Sequence, residues 1–338
     1  MSGFSEDDLA AALRRVLSGE HPGVRVGVGD DAAVVEPGRH PTLLAVDMLV
    51  EGVDFDRGTT SARDLGYKAM SVNVSDIAAM GGSPRFAVMA LGLPPGTDPG
   101  WVVELTSGMR EAADEHGAAV VGGDLSRAET VVVSVTITGE VPEGGAVTRA
   151  GAAPGDLLVV TGTLGAAAGG LRLLQAPPQS VAHVMGSPWA GDLVAAQLRP
   201  QARVGEGRIL ARNGATAMID VSDGLAKDLS RLCKESGVGA LVRLEEVPVA
   251  GALLELDKVM PIDPLLLALE GGEDFELLAA IGEEGAARAA AEMHERFGTS
   301  LATIGQARKE PGLVGVSAGG AERAIEPRGW DHFAGRGG

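Results

Sequence analysis

Apolar residues along this chain fall into two rhythms, one of period near 3.6 and one of period 2, and their alternation lays out the elements. Near the N-terminus Leu9, Leu13, Val16 and Leu17 share one face of a first helix, with Ser5 and Asp8 spaced as a capping box. Thr42–Met48 reads as a bounded apolar strand, and 61–80 as a helix. Strands are expected at 86–94, 118–124 and 131–141, around an amphipathic helix at 99–116. The Gly-, Ala- and Pro-rich segment 148–156 then marks a domain boundary, placed at 150/151. Beyond it, helical patterns at 165–175, 191–198, 202–213 and 283–297 alternate with strands at 157–162, 215–220, 275–282 and 301–305, and a helix starts near Asp223. A mixed α+β first domain, 1–150, and an α/β second domain, 151–338, follow from this order.

Size supports two domains, because 338 residues exceed the usual extent of one core. With 45% hydrophobic and 22% charged residues the chain is an ordinary globular protein, and with aromatics at 3% its core is aliphatic. The net charge of −18 does not suit a nucleic-acid backbone. Neither an apolar signal core nor a run long enough to span a membrane is present in the sequence, and the single Cys233 fits burial in a reducing cytoplasm.

Acidic clusters, most of them beside glycine, carry the chemistry. They are GDDAAV with Asp30 and Asp31, AVD with Asp47, NVSDIAAMGG with Asn73 and Asp76, VGGDLS with Gly123 and Asp124, IDVSDGL with Asp220, Ser222 and Asp223, and EGGEDFEL with Glu273 and Asp274. Carboxylates gathered without cations repel one another, so a fold that assembles them needs metal ions. Mg2+ takes oxygen ligands and bridges one or two carboxylates to substrate phosphates, which points to phosphoryl transfer. Each cluster also has a plainer reading. Gly-Asp pairs build turns, Asp47 can mark a strand end, Asn73 and Asp76 can sit on a solvated helix face, and Asp223 can simply favour a helix N-terminus. Arg149 fits a phosphate or an interdomain salt bridge. Glu273 and Asp274, at the start of a strand, fit polar contact with a substrate.

Taken in order, GDDAAV, DMLVEGVDF, SVNVSDIAAMGGSP, VGGD, TRAGAAPGD, IDVSDGL, GGEDFEL and GWDHF resemble the thiamine-monophosphate kinases over about Gly27 to Phe333. Those enzymes share a fold and an ATP site with aminoimidazole ribonucleotide synthetase. The resemblance implies an N-terminal α+β domain whose strands form a barrel across a homodimer, and a C-terminal α/β domain. It implies ATP and thiamine monophosphate as substrates, with several Mg2+ ions and, as an open addition, a monovalent cation such as K+. Asp31, Asp47, Asp76, Asp124, Asp220 and Asp223 stand at metal-ligand positions, with Asp30 as second choice. Asp47, Asp76 and Asp124 would carry the catalytic charge neutralisation. Gly123, Asp124, Arg149 and Ser222 stand at the nucleotide; Glu273 and Trp330 stand at the substrate, where an aromatic face can stack on the thiazolium or on the pyrimidine.

Two departures stand out. Ala45 and Val46 precede Asp47 where the family has hydroxyl residues, and Asp54 stands where a histidine would contact substrate. The rival functions are another ATP-dependent enzyme of the aminoimidazole ribonucleotide synthetase type, and a non-catalytic sensor of thiamine phosphates or nucleotides.

Overall fold

A computed structural model of the chain describes residues 6–28 and 32–332. It divides into two compact units: one takes the chain to Ile77 together with Gly82–Glu143, the other takes Ala78–Gly81 and everything from Gly144 onward. The Gly-, Ala- and Pro-rich segment 148–156 thus lies wholly in the second unit.

The first unit contains α1 (Glu6–Leu17), β1 (Val24–Val26), β2 (Val34–Val35), β3 (Thr42–Val50), α2 (Ala62–Ala79), β4 (Ser83–Leu93), α3 (Pro99–Glu115), β5 (Ala119–Arg127) and β6 (Val132–Glu140). β1 and β2 form a ribbon, and the rest make a four-stranded sheet in the order β3-β6-β4-β5, parallel only between β4 and β5. Period-2 alternation buries Val133, Val135 and Ile137 of β6 on one face. α2 is buried almost all round, with Leu65, Met70, Val74 and Ile77 in the core and the polar Lys68, Ser71, Asn73 and Ser75 buried beside them. It crosses α3 where side chains are missing: a Cβ at Gly66 would lie 1.8 Å from the Leu105 carbonyl oxygen, and one at Gly108 would lie 1.9 Å from that of Arg63. α3 begins on Pro99, with the Asp98 carboxylate accepting from Gly100 N.

The second unit contains β7 (Leu157–Thr161), α4 (Ala166–Gln175), α5 (Pro178–Val181), α6 (Pro188–Leu198), α7 (Val204–Arg212), β8 (Ala215–Asp220), α8 (Leu225–Ser236), β9 (Gly239–Arg243), α9 (Ala252–Asp257), α10 (Pro264–Glu270), β10 (Leu277–Ile281), α11 (Glu283–Phe297), β11 (Leu301–Arg308), β12 (Leu313–Val316) and β13 (Glu322–Ala324). Its seven strands run β13-β12-β9-β11-β7-β10-β8, with only β9 and β12 parallel. Helices cover both faces, so the central strands read as unbroken apolar runs. In β10, Leu278 and Ala280 join a core with α8, while Leu277, Ala279 and Ile281 join one with α7 and α11. Cys233 lies in the first of these cores, and burial pushes its thiol up to about 11, as expected of an inert packing residue. Among the described residues no helix is long and apolar enough to cross a membrane.

Candidate active site

In the first unit two acidic motifs meet. β3 continues to Val50, so Asp47 interrupts the strand instead of ending it, and the free edge of β3 at this point is closed by α2: Asp47 N donates to Asn73 Oδ1 at 3.1 Å. Asn73 is therefore a buried residue in mid-helix, not part of a solvated face. Asp76, one turn further along α2, hydrogen-bonds the Asp47 carboxyl. Burial raises Asp47 above the usual carboxylate range, the bond to Asp76 opposes that, and the charge of Asp54 adds to it. Asp54 itself turns back onto the chain, accepting from Val50 N at 2.8 Å. Val46 is exposed and Ala45 half-buried on β3.

Register separates Asp124 from this pair. Asp47 belongs to the cross-strand row Asp47–Val135–Met89–Gly123, whereas Asp124 belongs to Met48–Ser134–Ala90–Asp124, so the two carboxylates project from opposite faces of the sheet. Gly122 and Gly123 lie inside β5, within the expected strand 118–124 and just past a register shift. A Cβ on Gly123 would come within 2.4 Å of the Met89 carbonyl oxygen, which explains the glycine. On the Asp124 side a cavity of about 580 Å³ is lined by Val88, Gly122, Gly123 and Thr136. Val28 and Ala32, the described residues flanking the first acidic loop, also line it, while Asp30 and Asp31 themselves lie outside the described residues.

In the second unit three motifs from distant parts of the sequence are zipped together. Asp220 ends β8, and the turn after it pairs with the loop before β10: Glu273 N donates to Ser222 O at 2.8 Å and Phe275 N to Val221 O at 2.9 Å. Trp330 N donates to Asp223 O at 3.0 Å, and Lys227 Nζ donates to the Trp330 carbonyl. The indole, half exposed, meets His332 edge to face. Close approach explains two glycines, since a Cβ at Gly272 or Gly329 would strike the carbonyl oxygen of Ser222 or Asp223 at 2.6 or 2.2 Å. α8 starts only at Leu225, so Asp223 precedes the helix instead of opening it, and its carboxylate meets Lys227 at 3.2 Å and Arg231 at 2.5 Å. Glu273 also differs from expectation, standing in an irregular loop with β10 beginning four residues later. Glu273 and Phe275 take left-handed φ values of 68° and 50°, a strained choice for side-chain-bearing residues. Arg149 is exposed, and its carbonyl accepts from Ser236 Oγ.

Asp228 and Glu276 escape sequence reading, and Asp274, expected at a substrate, instead meets backbone donors at the start of α4. Asp228, buried on α8, accepts from Ser222 N and Asp223 N, and burial pushes it up to about 6. Asp274 accepts from Gly165 N at 2.7 Å and Ala167 N at 3.3 Å, capping α4 from a distance; burial pushes it up to about 8 despite those donors. Glu276 is held by Arg203 through two bonds of 2.8 and 2.6 Å and by the Thr161 hydroxyl at 2.6 Å. An alternative signal existed for the last of these: three acids within four residues cannot all stay solvated before a strand as apolar as β10.

Residues 29–141 match AIR synthase related protein, N-terminal domain, and residues 153–317 match the C-terminal domain of the same description. The thiamine-monophosphate kinase of Escherichia coli (strain K12) is 36% identical over 314 residues, 92% of this chain and 93% of that protein. The crystal structure of thiamine-monophosphate kinase from Stenotrophomonas maltophilia K279a superposes with a TM-score of 0.79 at 35% identity, covering 93% of this chain and 96% of that one. AaThiL complexed with AMPPCP and TMP superposes with a TM-score of 0.77 at 32% identity, covering 98% of each. With both domains matched and a relative 36% identical over 92% of this chain, the chain belongs to the thiamine-monophosphate kinase family.

Proposed function

We propose that this chain transfers the γ-phosphoryl group of ATP to the phosphate of thiamine monophosphate. A phosphate oxygen of the acceptor forms a bond to the γ-phosphorus as the bond to the β-phosphate oxygen breaks, giving thiamine diphosphate and ADP. One observation carries the reading: AaThiL, alike over nearly the whole of both chains, is complexed with AMPPCP, an ATP analogue, and with TMP. The acceptor is already an anion, so no strong general base is needed, and alignment with charge neutralisation suffices.

The residues present fit Mg2+. Asp47 and Asp76 are two carboxylates in contact, one of them raised by burial, and a dication relieves that cost. Among the described residues no three acidic, His or Cys side chains enclose a metal by themselves, which suits an ion that takes its remaining ligands from phosphates and water. The ion would neutralise the phosphates' charge. In this proposal Asp47 and Asp76 hold one Mg2+; Asp124, with Asp31 and Asp30, serves another on the cavity's side of the sheet. Asp220 and Asp223 serve a metal in the second unit, Asp223 after exchanging Lys227 and Arg231 for it. Gly123, Ser222 and Arg149 contact nucleotide. Trp330 stacks on the substrate's thiazolium, and Glu273 meets its aminopyrimidine end, where the amine can donate to a carboxylate and a phosphate is absent. Asp54 acts on the substrate only through Asp47, since its own carboxylate serves the turn. K+ is a further proposed activator.

A homodimer belongs to the same proposal. Leu44, Val46 and Met48 are 72%, 61% and 57% exposed, and Val46 shares a row with Thr136 and Val88 on one face of the sheet. An apolar face of this kind calls for a partner sheet. The proposed location is the cytoplasm. Incubation with ATP, Mg2+ and thiamine monophosphate, with and without K+, tests the activity. Thiamine diphosphate and ADP in equal amounts are expected; no turnover above a metal-free control sinks the kinase and leaves a sensor or a different ATP-dependent enzyme.

A further inference from the structure

The loop Glu273–Glu276 hands each of its three carboxylates to a different element. Asp274 goes to the N-terminus of α4 and Glu276 to Arg203 and Thr161. Glu273 goes to α6, where Gln197 Nε2 donates to its Oε2 at 2.6 Å. Gln197 is only 4% exposed and lies where α4 and α6 touch: a Cβ on Gly170 would stand 2.0 Å from the Leu193 carbonyl oxygen and 3.0 Å from Gln197 Cβ. Its own Oε1 is buried with no hydrogen-bond partner. An unpaired buried acceptor is costly, and packing alone does not require an amide here. The reverse amide orientation would set Oε1 against the Glu273 carboxylate, so Glu273 dictates which way the side chain faces. Strained backbone at Glu273 and an orphaned acceptor on its partner occur together, a combination that folding by itself disfavours.

We infer that Gln197 is a positioning residue, one that fixes the Glu273 carboxylate for the amine-bearing end of thiamine monophosphate. The inference rests on the proposed contact between Glu273 and substrate. Gln197→Met removes the donor and the orphaned acceptor together while nearly conserving volume, so the fold should keep its thermal midpoint or gain slightly. In the full chain, KM for thiamine monophosphate should rise on the order of tenfold, as loss of one hydrogen bond to a charged group gives. KM for ATP should stay within about twofold, since a group that acts at one substrate leaves uniform binding of the other intact. Combining Gln197→Met with Glu273→Ala should be no worse than Glu273→Ala alone, because the effect passes through one carboxylate. If Glu273→Ala raises that KM while Gln197→Met does not, or if the two effects add, the positioning role is overturned and the Glu273 contact survives. If Glu273→Ala leaves KM unchanged, the contact itself fails and the inference with it.

Discussion

Replacing Arg203 with methionine probes how the second unit tolerates acids beneath its candidate site. Arg203 donates to both oxygens of Glu276, a residue 5% exposed, and the only other hydrogen bond to that carboxylate described above comes from Thr161. Removing the guanidinium leaves a buried charge with one hydroxyl donor, and breaking a buried pair from one side costs about 3–5 kcal/mol. The exposed pair Lys258–Glu255, with side chains 67% and 46% exposed, should lose at most about 1 kcal/mol on the equivalent change. Burial already raises Glu276 above its ordinary range and Arg203 holds it down, so in the variant it rises further. A raised carboxyl contributes stability below its unfolded value that is lost as pH rises through the folded value. The deficit of Arg203→Met should therefore be larger at pH 8 than at pH 5. Urea unfolding followed by fluorescence of Trp189 and Trp330, both in the second unit, reads this out, with Trp101→Phe silencing the first unit. Two units argue against assuming a single two-state transition, so midpoints and slopes are compared for that unit alone. Adding Glu276→Gln should restore most of the loss, because the amide still accepts from Thr161. A loss under about 1 kcal/mol with no pH dependence would mean that Glu276 is not desolvated, and the reasoning would fail.

Asp47→Asn should abolish phosphoryl transfer yet raise the thermal midpoint in Mg2+-free buffer, since it removes a charge that burial and Asp54 disfavour; a lower midpoint would show the carboxylate to be structural. Burial pushes Asp274 up to about 8 in the folded state from its ordinary value of 3.8, so folding takes up a proton between those limits. Its stabilisation is complete below the lower limit and lost as pH rises through the upper one. Asp274→Asn should flatten the fall in thermal midpoint between pH 6 and 9, and an unchanged slope would remove Asp274 as its source. Gly66→Ala forces α2 from α3 and should cost about 1–3 kcal/mol or more in chemical denaturation. Gly144→Ala, with nothing within 4 Å, should stay within about 0.5 kcal/mol and serves as control.

Much of this molecule is legible from local rules. Helices at 99–115 and 283–297 and strands at 42–50 and 132–140 follow from periodicity, because each buries one face or stripe and the apolar positions record which. The short strands β9, β12 and β13 and the helices α5, α9 and α10 carry too few residues to show a period, and only their neighbours hold them. The acidic residues beside glycine were also readable as an inventory, since spacing and residue type record them. Their roles were less so. Sequence order alone cannot tell that Asp47 and Asp124 leave their sheet on opposite faces, because that depends on the pairing of β3 with β6, β4 and β5, contacts between residues tens of positions apart. Nor can it tell that Asp223 is met by Lys227 and Arg231, or that Glu273 and Asp274 reach α6 and α4. By itself the sequence determined the longer elements, the family and the acidic inventory, for these are written in spacing and residue type. Only the tertiary structure decided which acids touch, which meet Lys or Arg and which cap a helix. A charge is defined by its surroundings, and in this protein the surroundings come from distant segments of the chain.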